Sequence, residues 1–100
     1  MLEPKIDMPR TWRNILRHEF IGLRCEVVDS KNKCQVGIKG VVIDETRNTI
    51  VIRTKRGDKR IEKRGRVFRF WLDDGSVVDV NGDSIVARPE DRIKKKFRKW

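Results

Sequence analysis

TIVIRTKRGDKRIEKRGRVFRFWLDDGSVVDV, residues 49–80, is the stretch that decides how this chain folds. It opens on Thr49-Ile50-Val51-Ile52, a β-branched run of the kind that packs well on a pleated surface. Arg56-Gly57-Asp58 then signals a hairpin turn. From Lys59 to Leu72 the chain is strand-like again. Gly65 interrupts it, and beyond that glycine Phe68, Phe70 and Leu72 share one face while Val67, Arg69 and Trp71 share the other. This reads as one long, bent strand shared by two sheet layers. Asp73-Asp74-Gly75-Ser76 turns the chain into Val77-Val78-Asp79-Val80, and Asn81-Gly82-Asp83 turns it again before Ile85-Val86.

Upstream the same grammar continues. Leu23, Cys25 and Val27 alternate with Arg24, Glu26 and Val28, the period-2 mark of a strand with one buried face. Ser30 to Lys33 is a turn. Val36 to Ile43 is a second strand, in which Gly37 and Gly40 predict a bulge or bend. Asp44 to Asn48 closes a hairpin onto Thr49. Five to six short strands, with turns roughly every eight to twelve residues, predict a mainly β protein built as a small antiparallel barrel over about residues 22–87.

Both ends read as short amphipathic helices on a single domain spanning 1–100. In the first, over about 9–20, Trp12, Ile15, Leu16 and Phe20 recur at helical spacing, with Arg10, Arg13 and Arg17 on another side and Gly22 as the stop. The second, over about 89–98, begins at Pro89-Glu90-Asp91, runs into Lys94-Lys95-Lys96, and carries Ile93, Phe97 and Trp100 as a stripe. Helices this short are marginal alone and need a surface to dock on. That surface is the barrel or a partner: core packing is the usual reading of Trp12 and Trp100, while the stripe Trp12, Ile15 and Leu16 is expected to contact a partner protein or to order on its binding.

The chain of 100 residues has a net charge of +10 and is 40% charged, and the charge has a location. Between Arg53 and Arg69 stand nine basic and two acidic residues; residues 70–87 hold four acidic and no basic ones, and the chain from Arg88 onward is basic again. Such a concentrated positive field attracts polyanions, and its arginines suit bidentate contact with phosphate. An RNA surface is expected on Lys55, Arg56, Lys59, Arg60, Lys63, Arg64 and Arg66, with Arg10, Arg13 and Arg17 beside it.

Other function classes fare worse. A chain this short has no room for a multi-lobed enzyme with a deep cleft. No apolar run of about 18 residues and no apolar leader segment is present, so a soluble, cytoplasmic protein that does not engage a membrane is expected. Cys25, Cys34 and the single histidine, His18, fall short of a structural zinc site, and no bound metal or cofactor is expected. A metal-dependent nuclease would need converging carboxylates, yet Asp73, Asp74, Asp79 and Asp83 sit largely in turn-forming sequences whose short side chains bond their own backbone. His18 has no second histidine or tyrosine to pair with. No glycine-rich phosphate loop appears. Phe68, Phe70 and Trp71 are candidates for base stacking, with core packing favoured for the two phenylalanines. The residues alone thus describe a basic small barrel for RNA or duplex DNA, a description that ribosomal and chromatin proteins also satisfy.

A resemblance sharpens this. Residues 22–54, GLRCEVVDSKNKCQVGIKGVVIDETRNTIVIRT, are similar to the first motif of Sm-like RNA-binding barrels. Together with RGRVFRFWLDDG (64–75) and ARPEDRIKKKF (87–97), they resemble the ribonuclease P protein component 1 family of archaea, counterpart of a eukaryotic ribonuclease P and MRP subunit. The resemblance implies an Sm-like or SH3-like barrel and a noncatalytic subunit of the ribonucleoprotein that removes the 5′ leader of precursor tRNA. It implies that the RNA and its Mg²⁺ ions carry out hydrolysis. The implied partners are the ribonuclease P RNA, the zinc-ribbon ribonuclease P subunit as heterodimer mate, the other ribonuclease P proteins and, indirectly, precursor tRNA. The second Sm motif, with its Arg-Gly turn, is not recognisable after Trp71, so neither a homo-oligomeric ring nor a uridine pocket is expected.

Overall fold

Alternating and β-branched runs become strands in a computed structural model that describes residues 10–11, 14–89 and 91. In chain order they are β1 (Arg24–Ser30), β2 (Lys39–Glu45), β3 (Thr49–Thr54), β4 (Gly57–Glu62), β5 (Arg66–Trp71) and β6 (Val77–Asn81). Single 3-10 turns at Ile15–Arg17, Lys33–Gln35 and Gly82–Ile85 lead in, link and follow. All pairings are antiparallel, and the six strands form one sheet in the order β4-β3-β2-β1-β5-β6.

That order forces the sheet to roll up. β4 and β5 are joined by only Lys63, Arg64 and Gly65, yet three strands lie between them in the sheet. Four inter-strand spacings of a flat sheet span about 19 Å, whereas the four chain steps from Glu62 to Arg66 reach at most about 14 Å. Only a coiled sheet brings the two strands within reach. The β3–β4 pairing runs on into this seam by one residue, the Lys63 N–H donating to the Asn48 carbonyl at 2.7 Å. Gly82 presses against the same link, where a Cβ would stand 1.8 Å from the Lys63 carbonyl oxygen. A side chain there would hold the seam open.

The rolled sheet encloses Cys25, Val27, Val42, Ile50, Ile52, Ile61, Phe68, Phe70 and Val80, with Phe20, Leu23, Leu72 and Ile85 closing its ends. Phe20 stacks on Phe70 with ring centroids 4.7 Å apart. Two register shifts, between Val27 and Asp29 in β1 and between Val42 and Asp44 in β2, bend the strands. Each also moves the inward phase by one residue, so Ser30 and Glu45 point inside.

Several expectations are revised. Lys59 to Leu72 is not one bent strand: Gly65, at φ 73, breaks it into β4 at the sheet's edge and β5 beside β1. β2 starts at Lys39, because the 3-10 turn at Lys33–Gln35 and Gly37 at φ 95 turn the chain first. Ile85 ends a 3-10 turn instead of opening a strand. The N-terminal helix reduces, over the described residues, to one turn at Ile15–Arg17, after which His18 is extended. Tertiary contacts outweigh helical spacing there: the Arg10 guanidinium bonds the Ile21 carbonyl at 2.6 Å, and Ile15 and Phe20 sink into the core. Trp12 and Arg13 lie outside the described residues, as does nearly all of the C-terminal helix expected over 89–98.

Candidate nucleic-acid interface

One cross-strand row runs Trp71, Arg24, Val41, Arg53 across β5, β1, β2 and β3, because these residues are consecutive register partners. Partners directly opposite in antiparallel strands project from the same face. The row lines a groove of about 760 Å³ together with the β3–β4 hairpin tip and the segment 34–40. Lys55 and Arg56 form the tip between Thr54 and Gly57, which are paired in register. Gly57 completes the turn at φ 111, a conformation that suits glycine.

The groove's lining carries six cations, Arg24, Lys39, Arg53, Lys55, Arg56 and Lys59, and no carboxylate. Arg53 is braced by Asp58 at 3.2 Å, both exposed. The Arg24 guanidinium lies 5.2 Å from the centre of the Trp71 ring, a favourable cation–π distance. Val36 and Val41 are 44% and 40% exposed and belong to the same lining. Cationic walls over a partly apolar floor make this the surface of the described chain best suited to a polyanion with flat apolar parts.

The cations expected from the sequence are thus divided. Lys55, Arg56 and Lys59 line the groove, alongside Arg24, Lys39 and Arg53, which the residue-by-residue reading did not place there. Strand alternation had put Arg24 on the outer face, but nothing local shows that it lies across from Arg53. Arg60 is exposed on β4, outside the lining, with its guanidinium 3.4 Å from the Thr49 hydroxyl. Arg64 is exposed in the β4–β5 link.

Lys63 is a correction. Its side chain is 0% exposed and donates to Glu45 Oε2 at 2.7 Å and to the Ile85 and Ala87 carbonyls at 2.8 Å each, so it cannot reach RNA. Arg66 is also committed inward: only 12% of its side chain is exposed, and it bonds Gln35 Oε1 and the Arg64 carbonyl at 2.8 Å each. Arg10 does not stand beside the basic hairpin. It ties the N-terminal segment to the β5–β6 turn through Asp73, at 2.8 Å from both its backbone N–H and its Nε. Arg13, and the side chain of Arg17, lie outside the description.

The expected partner stripe changes in the same way. Ile15 is 3% exposed and belongs to the barrel's own core, reaching the surface only where it helps line a small hollow. Leu16 packs against that core and lines a hollow of about 330 Å³ with Val78 and Ser84.

The carboxylates are likewise occupied. Hydrogen bonds from the Arg10 side chain hold Asp73 below the usual carboxylate range, and the Arg69 guanidinium, 2.8 Å away, does the same for Asp79. The Ser76 hydroxyl and N–H lower Asp74, and Asp83 accepts from the Gly65 N–H at 3.0 Å. Among the described residues no three His, Cys, Asp or Glu side chains gather as metal ligands.

Comparison with known proteins agrees with this architecture. A profile of the family "Ribonuclease P/MRP, subunit p29" matches residues 13–95. The chain is 55% identical over 89 residues to ribonuclease P protein component 1 of Methanosphaera stadtmanae, covering 89% of this chain and 96% of that protein. Against the protein of the same name from Methanocaldococcus jannaschii it is 52% identical over 89 residues, 88% of this chain and 93% of that protein. The solved structure of Mth11, a homologue of human RNase P protein Rpp29, is similar with a TM-score of 0.56 and 42% identity, over 77% of this chain and 100% of that one. With a family profile over residues 13–95 and likeness to named relatives along most of its length, the chain belongs to the ribonuclease P/MRP subunit p29 family, the family of the archaeal ribonuclease P protein component 1.

Proposed function

We propose that this ribonuclease P subunit works as a noncatalytic RNA-binding protein whose basic groove holds the phosphates of the ribonuclease P RNA. The observation that carries the reading is the groove's lining of six cations with no carboxylate. Phosphates neutralised there release condensed counterions, a source of affinity that needs no base sequence. Hydrolysis of the 5′ leader of precursor tRNA, and the Mg²⁺ ions it uses, are assigned to the RNA; Asp73, Asp74, Asp79 and Asp83 are engaged by arginines, turn groups and backbone N–H groups. The zinc-ribbon ribonuclease P subunit is the proposed heterodimer partner, and the hollow beside Leu16 and Val78 supplies apolar surface for a protein contact. The proposed place of the subunit is the cytoplasm; no described helix is long and apolar enough to cross a membrane.

The test is the salt dependence of binding to ribonuclease P RNA. Replacing Lys55→Ala and Arg56→Ala together should flatten the plot of log K against log salt by roughly one to two units. Pre-tRNA cleavage should weaken at low Mg²⁺ and return at saturating Mg²⁺, because protein cations and Mg²⁺ screen the same phosphates. An unchanged salt slope would remove the groove from the RNA interface. Loss of cleavage even at saturating Mg²⁺ would point to a direct part in the chemistry.

A further inference from the structure

The juxtaposition of exposed valines, an Arg24–Trp71 cation–π pair and a cationic hairpin tip in one groove has a more specific consequence. We propose that the groove takes an unpaired stretch of RNA, with a base laid on the floor formed by Arg24 and Val41 beside Trp71. Its phosphates would lie against Lys55, Arg56 and Lys59. This rests on the reading of the groove as an RNA interface and adds which form of RNA it accepts.

Three observations favour an unpaired strand over a duplex. The first is the floor. Val36, Val41 and Val77 are the exposed large hydrophobic residues of the described chain, and two of the three line this groove. A duplex turns its phosphates and sugars outward and buries its base faces, so it gains nothing from exposed valines; an unpaired base presents a flat apolar face that does.

The second is size. A hollow of about 760 Å³ falls in the range of sites that enclose small ligands, about 300–1,000 Å³. It is an open groove with room to hold a nucleotide or two, whereas a double helix could only lie across its rim.

The third is the platform. Arg24 sits on one neighbour of its register row, Trp71, and is followed by the other, Val41. A guanidinium over an indole ring leaves its other side open, and guanidinium planes are stacking surfaces for splayed-out bases. Lys55 and Arg56 at the tip of the hairpin are positioned as rim cations for the strand that enters.

The experiment compares two RNA probes on the full chain by fluorescence anisotropy: a labelled single strand of mixed sequence, about ten nucleotides long, and the blunt duplex it forms with its complement. The single strand is expected to bind about tenfold tighter than the duplex at equal salt. Val41→Ser and Trp71→Ala should each weaken single-strand binding by about five- to tenfold with little change in salt slope, since they remove stacking and not charge. Val41 is exposed, so its replacement keeps the fold and leaves the test decisive if Trp71→Ala does not fold. Lys55→Ala with Arg56→Ala should weaken both probes and flatten both salt slopes. If the duplex binds as tightly as the single strand and Val41→Ser changes neither, while the double charge replacement still weakens both, the interface stands and the unpaired-strand inference is wrong. If the charge replacement changes neither probe, the interface reading itself fails.

Discussion

Lys63 and Glu45 meet inside the barrel, Nζ to Oε2 at 2.7 Å, with neither side chain exposed to solvent. Lys63 continues the inward phase set by Ile61, two residues earlier on the same edge. Glu45 arrives there because the register shift between Val42 and Asp44 turns it inward. The ammonium also donates to the Ile85 and Ala87 carbonyls, so one cation ties β2, the β4–β5 link and the chain after the last 3-10 turn together.

Removing one partner leaves a buried charge uncompensated. Lys63→Met is expected to cost about 3–5 kcal/mol in urea unfolding, a large part of the stability of a domain this size. Adding Glu45→Leu should recover much of that loss, though not the bonds to the two carbonyls. A single replacement with an unchanged urea midpoint would show that the pair contributes little.

Acid should loosen the N-terminal latch. Arg10 hydrogen-bonds Asp73 and keeps its carboxyl below its ordinary value of 3.8 in the folded chain. A depressed folded pKa gives stability that is present above the unfolded value and is lost as pH falls through the folded one. Thermal midpoints measured from pH 6 down to pH 2 should therefore fall below about pH 4, with Asp79, held by Arg69, adding in the same direction. Asp73→Asn should start lower at neutral pH and show a shallower acid decline. A parallel decline in both proteins would exclude the latch.

The two thiols should behave differently. Cys25 is buried between strands and burial raises its pKa, while Cys34 is exposed on the 3-10 turn at Lys33–Gln35. Reaction depends on access and on the thiolate. A disulfide reagent should titrate one thiol in the native protein and two in denaturant. Two fast equivalents from the native protein would contradict the burial of Cys25.

Cations of the same sequence block should not be equivalent in RNA binding. Arg53 and Lys59 line the groove, so replacing either with alanine should reduce the magnitude of the salt slope by somewhat under one unit. Arg64→Ala should change it much less. Arg66→Ala should lower stability instead, since it strips the bonds to Gln35 and the Arg64 carbonyl. Equal effects at Arg53 and Arg64 would mean that RNA wraps the hairpin rather than entering the groove.

Much of this was legible in the residues. The alternation through Leu23, Cys25 and Val27, the β-branched run at Thr49 and the paired faces around Phe68 and Phe70 specify strands, because a side chain's face in an extended chain follows directly from its position modulo two. The basic block and its place on a hairpin were equally plain. Tertiary structure alone decided which cations act together. Arg24, Val41 and Arg53 are far apart in the chain and adjacent only through strand register, and Lys63 looks like its exposed neighbours until the rolled sheet and the bulge before Glu45 put a carboxylate opposite it. Periodicity is a local property of the backbone; what stands across from a side chain is set by register and closure, which arise from packing the whole sheet against itself.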